Sequence, residues 1–200
     1  VDENGGPVDG DFIMAICGHD MKSRGKLNKN CIVGTIMTNL GFIKFCEANG
    51  IHFEATKVGD RYVLEEMLLE NYSFGGEQSG HVIFRDFATT GDGQLTAAQL
   101  LSIMKRREAK LSSMTTVMER YPQTMKNIRV SPEGKLAFYT DPKVKQAIDA
   151  ATKMLAGNGR VIVRPSGTEP LLRVMVEGQD LALIEKIAED ISEVIKEELV

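Results

Sequence analysis

The sequence contains no tryptophan, no internal repeat and no low-complexity segment, and it is poor in the features that mark a chain for a membrane, a nucleic acid or an oxidising compartment. No apolar run approaches the roughly 20 residues of a bilayer-spanning helix. The N-terminus has no basic region followed by an apolar stretch, so neither export nor membrane insertion is expected. Lysine and arginine number 24 against 28 aspartates and glutamates, and the densest basic cluster, Lys105-Arg106-Arg107, closes an amphipathic pattern. That balance argues against nucleic acid as the main partner. Cys17, Cys31 and Cys46 form an odd set without CxxC spacing, the pattern of reduced, buried thiols in a cytoplasmic protein rather than of disulfides or zinc. Asp86 and Asp92 lack calcium-loop spacing, so no metal site is expected in this chain.

What remains is an ordinary globular composition: 200 residues, 42% hydrophobic and 26% charged, enough for one large or two small cores. The opening Val1-Asp2-Glu3-Asn4-Gly5-Gly6-Pro7-Val8 reads as the tail of a strand entering a hairpin turn, as expected of a piece cut from a longer chain. Asp11 is the expected N-cap of a helix running to about Ser23 and ended by Gly25. Cys31 to Met37 predicts a strand buried on both faces, Leu40 to Ala48 a helix closed by Asn49-Gly50, and Ile51 to Lys57 another strand. Asp60 to Asn71 has helical spacing with Val63, Leu64, Met67 and Leu68 inward, and Phe74 to Phe84 is strand interrupted by glycines. A helix over Thr96 to Leu111 follows.

Tyr121-Pro122 breaks this alternation, and a domain boundary is expected near residue 118, giving units 1–117 and 118–200. Beyond it the pattern predicts a strand over Met125 to Val130, a turn at Pro132-Glu133-Gly134, and a helix over Pro142 to Ala156 capped by Asp141. Two strands then flank residue 166, and Asp180 caps a long final helix. The fold expected is α/β, with a mixed sheet in the first unit and a small α+β arrangement in the second.

Three segments carry chemistry. Arg164-Pro165-Ser166-Gly167-Thr168-Glu169-Pro170 joins two strands: an arginine fork, two hydroxyls and a glycine that lets backbone N–H groups approach a ligand would cradle an anion, phosphate above all. A tight turn capped by its own hydroxyls accounts for the same residues. In Gly75-Gly76-Glu77-Gln78-Ser79-Gly80-His81 the glycines expose a carboxylate and a hydroxyl suited to sugar hydroxyls, with His81 on the same side as Ser79 if the chain is extended there; a plain hairpin turn is the alternative. Thr56-Lys57-Val58-Gly59-Asp60-Arg61 sets Lys57 and Arg61 beside a helix N-terminus, suited to an anionic ligand, or else is a capped helix with solvated cations.

Together and in this order, TKVGDR, GGEQSGH and RPSGTEP resemble the active-site, sugar-specificity and C-terminal phosphate-binding loops of the α-D-phosphohexomutase family, with Gln78 matching its bacterial phosphoglucosamine mutase branch best. The resemblance implies the last two of four domains, an α/β sugar-binding domain and a TATA-binding-protein-like α+β domain. It also implies that the catalytic phosphoserine loop, the loop of Mg²⁺ ligands and the other domains lie upstream on the same polypeptide. By the same resemblance, the complete enzyme interconverts glucosamine 6-phosphate and glucosamine 1-phosphate through glucosamine 1,6-bisphosphate. Glu77 and Ser79 would hold the sugar. Arg164, Ser166, Gly167 and Thr168, with Arg173 outside them, would clamp the idle phosphate, and Lys57, Arg61 and His81 would face the reacting end. A phosphomannomutase or phosphoglucomutase, or a non-catalytic phosphosugar-binding module, remains an alternative.

Overall fold

The computed structural model describes residues 1–200, which divide into two compact units, Val1–Arg120 and Tyr121–Val200. In the first, α1 (Gly10–Ser23), β1 (Cys31–Thr35), α2 (Leu40–Ala48), β2 (His52–Thr56), α3 (Asp60–Leu69), β3 (Phe74–Gly76) and β4 (Val82–Phe84) precede α4 (Gly93–Arg107) and α5 (Leu111–Met114). The sheet runs β2-β1-β3-β4, parallel except for β4, so it is mixed as expected. The apolar run Cys31-Ile32-Val33 of β1 follows from its central place. Ile32 packs with Met14, Ile16 and Phe42 on one face, while Cys31 and Val33 pack with Val63 and Met67 of α3 on the other.

The second unit is an antiparallel three-stranded sheet, β5 (Gln123–Arg129), β7 (Leu171–Gly178) and β6 (Gly159–Pro165) in spatial order. The helices α6 (Pro132–Ala137), α7 (Pro142–Met154) and α8 (Leu181–Leu199) complete it. Alternate residues Leu172, Val174 and Val176 of β7 meet Ile184, Ile187, Ala188, Ile191 and Ile195, which recur at helical spacing along α8.

Several sequence expectations are corrected. Residues 1–8 form a turn rather than the end of a strand. Asp9 caps α1, its carboxylate accepting from Phe12 N at 3.2 Å, and Asp11 lies inside the first turn with its side chain buried. Leu68 points outward at 55% exposure, because only Val63 and Met67 of α3 are fully under the sheet. The helix expected over Thr96 to Leu111 starts three residues earlier, at Gly93, where Asp92 accepts from Gln94 N and Leu95 N, and it stops at Arg107 before the left-handed Glu108. Pro132-Glu133-Gly134 is the first turn of α6, capped by Ser131, since proline at the first helical position suits a helix as well as a turn.

Candidate functional site

Parallel strands deliver their C-terminal ends to one edge of a sheet, and ligands gather there where the strand order changes direction. The chain passes from β1 to β2 on one side and to β3 on the other, so Thr35 and the residues after β3 border that point. A cleft of about 400 Å³ opens there, lined by Asp9, Thr35, Met37, Val58, Glu77, Gln78, Ser79 and Arg120.

The loop between β3 and β4 is a closed turn: Glu77 N donates to His81 O, and Gly80 N to Glu77 O, both at 2.9 Å. The chain is therefore not extended between Ser79 and His81, so the condition for their sharing a side is unmet. Gly10 N donates to Gln78 O at 2.9 Å, and a β-carbon on Gly10 would lie 2.1 Å from Glu77 O, so only glycine lets α1 dock on this loop. Asp11 ties the arrangement from behind, its buried Oδ2 accepting from Asn39 N at 2.9 Å and from Gln78 Nε2 at 3.0 Å. Glu77 Oε1 accepts from Gly59 N at 3.1 Å, which joins the two loops expected to hold substrate. Ser79 is exposed and its hydroxyl makes no hydrogen bond within the chain.

His81 stands behind the lining. Its Nε2 accepts from Gly91 N at 3.1 Å and lies 3.6 Å from Asp60 Oδ2, and a β-carbon on Gly91 would collide with the ring at 2.5 Å. Lys57 and Arg61 do not line the cleft. Lys57 Nζ lies 5.8 Å from the Tyr62 ring centre, and the exposed Arg61 donates to Glu65 at 2.7 Å, a bond that pushes its already high pKa further up.

In the second unit the loop 166–170 joins β6 to β7. Arg164 stands opposite Arg173 in register, and burial, then the charge of Arg173, pulls the Arg164 pKa down. Ser166 is buried, its hydroxyl accepting from Glu169 N at 3.2 Å, while Arg173 donates to Glu169 Oε2 at 2.8 Å. Thr168 is exposed and makes no hydrogen bond within the chain. Arg164 and Arg173, the latter already paired with Glu169, stand next to a loop in which the Gly167 and Thr168 amides have no acceptor within the chain, an arrangement whose chemistry suits an anion.

Two family models match the chain, one along each unit. The model described as phosphoglucomutase/phosphomannomutase, alpha/beta/alpha domain III, matches residues 9–121, and that of the family's C-terminal domain matches residues 125–194. The chain belongs to the phosphoglucomutase/phosphomannomutase family. Among curated members, it is 52% identical over 199 residues to a phosphoglucosamine mutase of Caldanaerobacter subterraneus and 52% identical over 200 residues to one of Brevibacillus brevis. In both cases all of this chain is covered but only 44% of the relative's length. Among solved structures, an Aspergillus fumigatus N-acetylphosphoglucosamine mutase in complex with GlcNAc-6P and magnesium superimposes with a TM-score of 0.77 at 17% identity, covering 94% of this chain and 44% of that one.

Of the family loops read from sequence, the structure brings Glu77 and Ser79 into one cleft and Arg164, Arg173 and the 166–168 loop to one hairpin. Sequence reasoning missed Asp9, Thr35, Met37, Val58 and Arg120 as lining residues. Thr35 carried a usable signal, the polar end of a fully buried parallel strand. Arg120 carried none, because its 3.4 Å contact with Asp9 joins positions 111 residues apart in sequence.

Proposed function

We propose that these 200 residues supply the sugar-holding and phosphate-holding parts of a phosphoglucosamine mutase, which interconverts glucosamine 6-phosphate and glucosamine 1-phosphate through an enzyme phosphoserine and glucosamine 1,6-bisphosphate. The observation that carries this reading is the placement of Glu77 and Ser79 together in the cleft at the sheet edge. A carboxylate fixed by a backbone amide can accept two ring hydroxyls, and the neighbouring seryl oxygen a third. Because a bisphosphate must present each phosphate in turn, the sugar site has to accept the ring in both orientations, and hydroxyl contacts of this kind can be made in either. Arg164, Ser166, Gly167, Thr168 and Arg173 hold the phosphate that is not reacting. Lys57 and Arg61 serve the reacting phosphate from the C-terminal side of β2, leaving Tyr62 and Glu65 to do so. His81 acts as a positioned group, its Nε2 accepting from Gly91 N–H beside the Asp60 carboxylate.

No group of three or more His, Cys, Asp or Glu side chains in this chain is placed to hold a metal ion. From the family resemblance we assign the Mg²⁺ ligands of the complete enzyme, like its phosphoserine, to other domains of the same polypeptide, and no step here runs through the metal. With three free buried cysteines and no helix long and apolar enough to cross a membrane, the reading fits a cytoplasmic enzyme.

The test is an assay of the complete polypeptide on glucosamine, glucose and mannose phosphates. Glucosamine 6-phosphate should be preferred; preference for either of the others would reassign the enzyme to phosphoglucomutase or phosphomannomutase, and turnover of none would leave a binding module. Glu77→Ala in that polypeptide should lower kcat/KM about 10- to 100-fold, the equivalent of one hydrogen bond to a charged group. Unfolding without a separate kinetic defect would make Glu77 merely the anchor of Gly59.

A further inference from the structure

Lys135 belongs to no motif, yet it is the side chain that holds the anion loop. Its Nζ donates to Ser166 O at 2.6 Å and to Glu169 O at 3.0 Å, bridging the two ends of the loop from α6. α6 is itself fixed: Ser131 caps it, Gly134 is buried against the backbone at Leu199, and Val130 N just before it donates to Pro170 O at 3.0 Å. The lysine therefore reaches the loop from a rigid base.

The consequence follows from peptide geometry. In a trans peptide the C=O and the next N–H point in opposite directions, and the chain has no cis bonds. With Ser166 C=O turned to Lys135, Gly167 N–H points away from the lysine. Neither that N–H nor the N–H of Thr168 has an acceptor in the protein, and beyond the adjoining Ser166 and Thr168 no atom lies within 4 Å of where a Gly167 side chain would begin. An exposed peptide segment of this kind could rotate freely, and a donor aimed in advance binds better than one that must be ordered on binding.

We propose that Lys135 is a positioning residue for the phosphate loop: by holding the Ser166 carbonyl it presents the Gly167 amide to a bound phosphoryl group, and by holding the Glu169 carbonyl it fixes the far end of the loop in which the Thr168 amide lies. The proposal rests on the phosphate reading of this loop, and the experiment separates the two. The 200-residue chain is titrated with inorganic phosphate and with glucosamine 6-phosphate while its amide resonances are followed by NMR. In the wild type, Gly167 and Thr168 should shift on binding; if they do not, the phosphate reading fails. Lys135→Met should then weaken binding about tenfold or more and broaden the Gly167 resonance, with β7 resonances unchanged, and Lys135→Arg should restore most of the affinity. Wild-type affinity in Lys135→Met overturns the role of Lys135 while leaving the phosphate site standing. Should Lys135→Met fail to fold, the wild type still decides: a distinct, slowly exchanging Lys135 ammonium signal that moves with phosphate supports the proposal, and an ammonium averaged with the other lysines overturns it.

Discussion

Arg164 and Arg173 face each other across two strands, and like charges placed directly opposite weaken a sheet. Glu169 answers Arg173 within the chain, so a bound anion would answer Arg164, and function and stability should then separate on mutation of Arg164. Arg164→Ala in the 200-residue chain is expected to weaken calorimetric binding of glucosamine 6-phosphate by about 2–5 kcal/mol, while the thermal midpoint stays level or rises. A fall in both would make Arg164 a structural residue. The thiols give a second residue-scale outcome. Burial pushes Cys17 and Cys46 up to about 12 and Cys31 up to about 11 from an ordinary value of 9.0. The folded chain thus keeps protons that the unfolded chain releases, so stability is intact below about pH 9 and falls as pH rises toward 12. Denaturant titrations between pH 7 and 10 should show the decline beginning above pH 9. A thiol reagent at pH 7.5 should label none of the three until the chain unfolds; labelling of the native chain would show them open to solvent.

At the scale of the element, α8 is where periodicity and packing agree most closely. Ile187 is 1% exposed beneath the sheet of the second unit, so Ile187→Ala should cost about 2–5 kcal/mol in urea unfolding, by lost burial and the cavity left behind. A cost near zero would mean that the helix slides to fill the gap. Helix ends were less legible than helix interiors. Asp9 and Asp11 offer the same carboxylate on either side of Gly10, and the docking of Gly10 on the loop after β3 decides which one caps and which is buried. Leu68 fits the helical stripe of α3 but misses the sheet, because the layer beside β1 and β3 takes up Val63, Met67 and part of Leu64.

Across the whole molecule, the proposal separates binding from turnover. Positioning accelerates phosphoryl transfer only when a phosphoryl donor and a neutralising metal are at hand, and the proposal assigns both to other domains of the polypeptide. The chain by itself should bind glucosamine 6-phosphate yet form no glucosamine 1-phosphate when supplied with Mg²⁺ and catalytic glucosamine 1,6-bisphosphate. Turnover at a rate near that of the complete polypeptide would require a phosphoryl carrier among the residues described above as structural.

Read alone, the sequence determined the alternation of elements, the α/β and α+β character of the two units and the segments that hold Glu77, Ser79 and Arg164, since each rests on local periodicity or on residue types clustered within one turn. It left open whether those loops were plain turns. Only the tertiary structure decided which side chains share a cleft, because that depends on strand order at the sheet edge: Asp9, Thr35 and Arg120 reach Glu77 through topology. It also decided which groups are already engaged, setting Arg61 on Glu65, His81 against Gly91 and Lys135 on the carbonyls of Ser166 and Glu169. The physical reason is range: helix and turn propensities act over a few residues, whereas hydrogen bonds between distant loops exist only once the core has brought them within 3 Å or so.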